Sequence, residues 1–264
     1  WGLGYFGQPH IIVRFMALRS PSDAVAGRRY GITWQVLCMI GATMVAIVST
    51  VFFARHPEAS ITDKESYETI FLDLTRVIFH PLVAGLILTA VLAAIMSTIS
   101  SQLLVSSSAL IEDLYRGVVN KNLKSSTSML ASRIAVAGVA IVAGIIAANP
   151  NSSILDLVGF AWAGFGSAFG PVVVASLYWR RLNMPGAAAG IITGAVVSFA
   201  WGQSALTDVI YEIVPGVLAS VIAMVAVTLA TKKPSAATLE EFERAAADAK
   251  APAAPKGSAV KAEA

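Results

Sequence analysis

Cysteine is nearly absent from this sequence: Cys38 stands alone among 264 residues, so no disulfide can close within the chain and no cysteine-rich metal centre can be built. Its place inside an apolar run predicts a small buried hydrophobe. Histidine is scarce too, and His10, His56 and His80 fall at no spacing that would ligate a metal. Charge is the third scarcity. Charged residues make up 13% of the chain, against roughly 25% in soluble domains, while 56% of residues are hydrophobic and the mean hydropathy is +0.71. A soluble globular domain is excluded, and an all-α polytopic membrane protein is expected. The net charge of +3 is spread over separate loops and carries no nucleic-acid signal. Carboxylates are missing from the interior of the apolar runs, so neither a Ca²⁺ or Mg²⁺ cage nor a proton relay is visible. Those nearest are Asp156, which suits a helix N-terminus, and the pair Glu112 and Asp113, a solvated helix end beside Arg116. No Met precedes Trp1 and no signal peptide can be read, which leads us to expect the later part of a longer protein.

Long apolar runs are what the chain does have. Measured against the roughly 20 residues needed to cross a bilayer, seven are candidate spans: residues 1–17, 33–54, 82–107, 133–148, 154–178, 186–201 and 214–231. Arg14 near the end of the first span and Arg19, Arg28 and Arg29 after it mark the first connection, Arg116, Lys121, Lys124 and Arg133 follow the third, Arg180 and Arg181 the fifth, and Lys232 and Lys233 the seventh. The connections 149–152 and 203–213 have no Lys or Arg, and 55–81 has three. The positive-inside rule then gives one consistent orientation with a cytoplasmic C-terminus. Within the long outer connection, Ile70, Leu74, Val77 and Ile78 recur at helical spacing among Asp63, Glu65, Glu68 and Asp73, an amphipathic surface helix near residues 60–79 that either packs or acts as a lid. Residues 234–264 are too rich in Ala, Pro, Lys and Glu to bury a core, which predicts a disordered tail apart from a short helix near 238–250.

Three stretches carry distinctive chemistry. The opening WGLGYFGQPH crowds three glycines, a proline and three aromatic rings into ten residues, the composition of a membrane helix that is interrupted, as transporter helices are at their substrate sites. In AAIMSTISSQLLVSSS, hydroxyls break an apolar helix; at about 100° per residue Ser97, Ser101 and Ser108 fall within about 40° of one another, flanked by Ser100 and Ser107. Such hydroxyls either bond their own helix carbonyls and permit close packing, or bind something polar. Without a carboxylate, hydroxyl and carbonyl oxygens suit a monovalent hard cation such as Na⁺. Gly164, Gly166 and Gly170 with Pro171 allow close helix crossing, or a hinge. No catalytic constellation accompanies them, so an enzyme is not expected.

WGLGYFGQPHIIVRFMA, AAIMSTISSQLLVSSSALIEDLY and AWAGFGSAFGPVVVASLYW together resemble the sodium:solute symporter family, and within it the sodium/proline symporter branch. The resemblance implies thirteen spans around two inverted five-helix repeats, with alternating access to a midplane site. Residues 1–179 would be the second repeat, 180–233 two peripheral membrane helices, and 234–264 the cytoplasmic tail. It implies L-proline contacts at Trp1, Tyr5 and Pro9, whose spacing puts the two rings on one helix face, and a Na⁺ site completed by Ser97 and Thr98. Ser101 and Ser106 stand where the branch often carries Cys, replacements that keep size. The expected partners are L-proline, Na⁺ and the lipid bilayer of a bacterial cytoplasmic membrane; Na⁺ is the coupling ion, with no other cofactor and no readable protein partner. A sister carrier for pantothenate, another carboxylate or a sugar would keep the hydroxyl pair without WGLGYFGQPH. A sensor module on the same fold would need a signalling domain after the last span, and a channel would need a filter-like loop or a ring of charges.

Overall fold

The computed structural model describes residues 1–18, 20–56, 64–119, 125–148 and 153–250. Arg19, Asp63, Lys121, Lys124, the connection 149–152 and the tail beyond 250 lie outside the described residues. The described elements are helices: α1 (Gly2–Tyr5), α2 (Pro9–Met16), α3 (Pro21–Arg55), α4 (Lys64–Ile78), α5 (Pro81–Ser108), a π-helical stretch (Ala109–Val119), α6 (Ser125–Ala147), α7 (Ile154–Tyr178), α8 (Met184–Gly202), a 3₁₀ turn (Ala205–Asp208), α9 (Ile213–Ala230) and α10 (Ala236–Lys250). Among them, six helices are long and apolar enough to cross a membrane. The expected seventh, residues 1–17, is the exception because it is broken between α1 and α2.

Several boundaries differ from the sequence expectation, each for a local reason. The second span begins at Pro21 rather than residue 33. Ser20 Oγ accepts from the Asp23 amide at 3.3 Å and donates to Asp23 Oδ2 at 2.9 Å, Pro21 opens the helix, and the polar stretch that follows contains nothing that breaks it. Arg28 and Arg29 therefore ride on α3 instead of forming a loop. The third span starts at Pro81, where His80 Nδ1 caps the Leu82 amide at 3.4 Å, and runs past Ser107 straight into the π-helical stretch. Cys38 is exposed rather than buried, because no described neighbour covers its part of α3. The tail holds a formed helix, α10, from Ala236 rather than from 238.

Contacts divide the chain into two compact units: Trp34–Ile154, and Trp1–Thr33 with the described part of Leu155–Ala264. In the first, α5 contacts α4, α6 and the π-helical stretch. The amphipathic helix α4 buries Leu74 and Thr75, while its Val77 and Ile78 stay exposed. At the far end Glu112 accepts from Arg116 at 2.8 Å and from Ser128 at 2.9 Å, which ties the π-helical stretch to α6.

In the second unit, α8 and α9 are antiparallel and locked by small residues at four-residue intervals. Gly186 lies against Thr228, Gly190 against Met224, Gly194 against Ser220, and Ser198 against Gly216. Four-residue spacing keeps these positions on one helix face, where small residues let the backbones approach. Both ends of the ladder are tied. Asn183 caps α8 by accepting from the Gly186 amide at 3.0 Å, and its Nδ2 donates to Thr231 Oγ1 and to the Lys232 carbonyl, each at 2.7 Å. At the opposite end Tyr211 donates at 2.5 Å to the Gly159 carbonyl of α7. Burial, and secondarily the Glu212 carboxylate, raise that phenol above its ordinary pKa and keep it a donor. The ladder also reaches α7. Pro171 has no amide to offer the Ser167 carbonyl, and a Cβ on Gly194 would overlap that oxygen. We therefore expect Gly194→Val to force α8 off α7 and cost about 1–3 kcal/mol or more, read as a fall in thermal midpoint of the detergent-solubilised protein; Val at the exposed Ala188 should leave the midpoint within experimental error.

Candidate functional site

Opening a helix inside a membrane frees backbone groups that lipid cannot satisfy. Here the opening falls at Phe6–Gln8, just ahead of Pro9, which enters α2 at its first position, where its missing amide costs nothing. The Gly7 and Gln8 amides turn back to the Gly4 and Tyr5 carbonyls at 3.0 and 3.4 Å. Gln8 itself is 4% exposed, and its Nε2 donates to the carbonyls of Gly4 and Trp162, both at 3.3 Å. The Trp162 indole returns the link by donating to the Trp1 carbonyl at 2.9 Å. The Gln8 side-chain amide thus stands in for its own backbone amide on the Gly4 carbonyl, and the indole adds a second donor to the Trp1 carbonyl, which also accepts from the Gly4 amide at 3.0 Å.

The short helix can lie this close because α7 offers a face with almost no side chains. A Cβ on Gly166 would stand 2.6 Å from the Gly4 Cα, one on Gly7 would stand 2.7 Å from the Gly166 Cα, and one on Gly170 would stand 3.2 Å from the Leu3 carbonyl. Gly166 and Gly170 therefore serve close packing. Gly164 has open space around it.

The aromatic side of α1 meets Trp162. The Trp1 ring centroid is 5.3 Å from that of Trp162 in a tilted arrangement, and the Tyr5 ring stands edge-on at 4.9 Å. Trp1 and Tyr5 remain about half exposed, at 51% and 46%, so each ring rests on Trp162 and still offers a face. Pro9 stands beyond the break, at the first position of α2. On the other side of α1, an apolar groove of about 370 Å³ is lined by Leu3, Phe6, Pro171, Val174, Tyr178 and Val221, among others. Gln8 and Trp162 carry this arrangement and were not singled out from sequence. A Gln beside Pro inside a membrane segment, and a Trp between two alanines, were the signals available.

The hydroxyl cluster belongs to the other unit. Thr98 donates to the Ala94 carbonyl at 3.1 Å, Ser100 to Met96 at 2.7 Å, Ser101 to Thr98 at 2.9 Å and Ser107 to Leu104 at 3.0 Å. Ser97 and Thr98 are exposed, while Ser107 is buried. Bonding to the chain's own helix is thus present, as one of the two expectations held. It does not remove the oxygens from use, since a hydroxyl that gives its proton to a carbonyl keeps its lone pairs. Among the described residues, no group of three or more His, Cys, Asp or Glu could hold a metal ion.

The sodium:solute symporter family model matches residues 1–194. The chain is 45% identical over 242 residues to the high-affinity proline transporter PutP of Bacillus subtilis, covering 92% of this chain and 50% of that protein. It is 44% identical to the osmoregulated proline transporter OpuE of the same organism, covering 92% of this chain and 49% of that protein. With the sodium/proline symporter of Escherichia coli it shares 45% identity, covering 93% of this chain and 49% of that protein. The chain therefore spans about half the length of the curated relatives it matches. No solved structure matches it.

Two glycines on one face of α7 give an internal control for the docking of α1. Gly166→Ala should lower the thermal midpoint clearly, because the backbone it meets cannot yield. Gly159→Ala should be nearly neutral, because its nearest neighbour, Tyr211 Oη, lies at an ordinary 3.5 Å. Equal shifts for the two variants would contradict the close approach.

Proposed function

Because the chain belongs to the sodium:solute symporter family, we propose that it forms part of a carrier that takes up L-proline together with Na⁺ by alternating access. The observation that carries this reading is the interrupted first helix with its supported aromatic face, in a chain 44–45% identical to proteins named as proline transporters.

In this reading Trp1 and Tyr5 clasp the pyrrolidine ring of proline, Trp162 holds both rings at fixed angles, and Pro9 keeps the backbone open for the charged ends of the zwitterion. A rigid, pre-set aromatic wall spares the ordering cost that mobile side chains would pay on binding. Ser97 and Thr98 give hydroxyl oxygens to Na⁺. Their support is chemical: the oxygens are hard and uncharged, and Thr98's proton is already committed to Ala94, so its lone pairs are the part left to offer. Residues 1–179 are assigned to the second inverted repeat, 180–233 to peripheral helices, and the C-terminus to the cytoplasmic side of a bacterial inner membrane. Positive charge in alternate connections favours that orientation.

One Na⁺ moving down 100 mV releases about 2.3 kcal/mol, enough for roughly fifty-fold accumulation of a neutral zwitterion before any sodium gradient is counted. One ion per proline is adequate. Na⁺ bound first favours a substrate-ready state, proline binding permits closure, and both then leave inside.

The test is the sodium dependence of proline uptake by the full-length carrier. Thr98→Ala should weaken the apparent Na⁺ affinity about tenfold or more, the loss of one ligand from a small hard-ion site. Thr98→Ser, which keeps the oxygen, should recover most of it. An unchanged sodium dependence in Thr98→Ala would overturn the assignment.

A further inference from the structure

Where α7 and α9 end and α8 begins, Arg180 and Arg181 follow α7, and Lys232 and Lys233 follow α9. Two cavities meet there. One, of about 610 Å³, is lined by Asn183, Thr231, Lys232, Lys233 and Ser235 together with apolar residues that include Met184. The other, of about 280 Å³, is lined by Arg180, Arg181, Lys233, Pro234 and Leu239. They adjoin at Lys233 and Pro234, which line both, and together make a cation-rimmed hollow edged by Thr238 and Leu239 of α10.

These four cations are largely unpaired: among the described residues the one ion pair that reaches them is Glu243 with Arg180. A helix C-terminus such as that of α9 offers about half a unit charge, and Arg181 is set to use it by donating to the Leu229 carbonyl at 3.2 Å. Arg181 Nε is nevertheless buried with no hydrogen-bond partner. Glu243 of α10 pairs with Arg180 across the mouth of the hollow, through side chains 57% and 61% exposed. An ion pair that open to water is weak and exchanges readily. Among the described residues, Arg181, Lys232 and Lys233 have no carboxylate partner.

The hollow is also amphiphilic. Leu182, Met184, Pro185 and Ala230 line it beside the cations, and Met184 is 86% exposed at the start of a membrane-spanning helix. A free anion would use the cations alone, whereas a phospholipid would place its phosphate among them and its chains along the apolar helix ends.

We propose that the hollow formed by Arg180, Arg181, Lys232 and Lys233 binds the phosphate headgroup of an anionic phospholipid, and that Glu243 of α10 is a built-in competitor for it. The lipid displaces Glu243 from Arg180 and takes up the unused donors of Arg181 and Lys233. The site holds whichever side of the membrane these helix ends face, and it does not depend on the transported solute.

The test uses the full-length carrier in detergent, titrated with dioleoyl phosphatidylglycerol or dioleoyl phosphatidylcholine, with bound lipid counted by native mass spectrometry. Combined Arg180→Gln, Arg181→Gln and Lys233→Gln should weaken phosphatidylglycerol retention about a hundredfold, at roughly fivefold per cation near a charged headgroup, and leave phosphatidylcholine unchanged. Glu243→Gln, on an exposed face where folding is not at stake, should raise phosphatidylglycerol retention about two- to threefold. Wild-type retention in the triple variant, or no gain in Glu243→Gln, would overturn the proposal. If the triple variant does not fold, the Glu243→Gln result decides. Competition by millimolar inorganic phosphate that equals that of the lipid would overturn the phospholipid as the occupant.

Discussion

The constraint on which the rest of this structure depends is the need to satisfy a helix opened inside a membrane. The Gly4 carbonyl, which loses its helical partner at the break, accepts from Gln8 Nε2 at 3.3 Å beside the Gly7 amide, and the Trp1 carbonyl accepts from the Trp162 indole at 2.9 Å beside the Gly4 amide. These partners can reach only if α1 lies against α7 almost backbone to backbone. Gly4, Gly7, Gly166 and Gly170 are the residues that allow it. The half-exposed rings of Trp1 and Tyr5 follow from the same contact, because Trp162 both bonds the Trp1 carbonyl and props the two rings.

That demand is passed along α7. On one side it receives α1; on another, Ser167, whose carbonyl is freed by Pro171, receives Gly194 of α8 and lies against Gly216 of α9. The rigid frame around α7 is thus built from absences: glycines where side chains would intrude, and a proline where an amide would be needed. In lipid, where helices gain little from burying apolar surface against one another, close approach and internal hydrogen bonds are the forces available. The ladder between α8 and α9 is that principle repeated along their whole length.

Much of this was legible in the sequence, and the remainder was hidden for identifiable reasons. The interruption near Gly7 and Pro9 could be read because Gly and Pro act locally. The amphipathic α4 could be read because its apolar residues repeat at helical spacing. The roles of Gln8 and Trp162 could not, since their partner lies 154 residues away in the chain and no local pattern encodes such a pairing. The four-residue run Gly186, Gly190, Gly194, Ser198 was a readable packing signal that apolar composition masked. The early start of α3 shows why a hydropathy window misplaces a helix end: Ser20 and Pro21 start the helix, and its first turns are polar. Cys38 reads as buried by residue type, yet burial depends on neighbours that hydropathy does not name.

The central claim is that the aromatic face held by Trp162 is the surface proline meets. It is tested most directly by maleimide labelling of Tyr5→Cys in a full-length carrier otherwise stripped of cysteine. L-proline should slow the labelling several-fold when Na⁺ is present and leave it unchanged when K⁺ replaces Na⁺. Labelling at the same rate with and without proline in Na⁺, in a variant that still binds proline, would contradict the account.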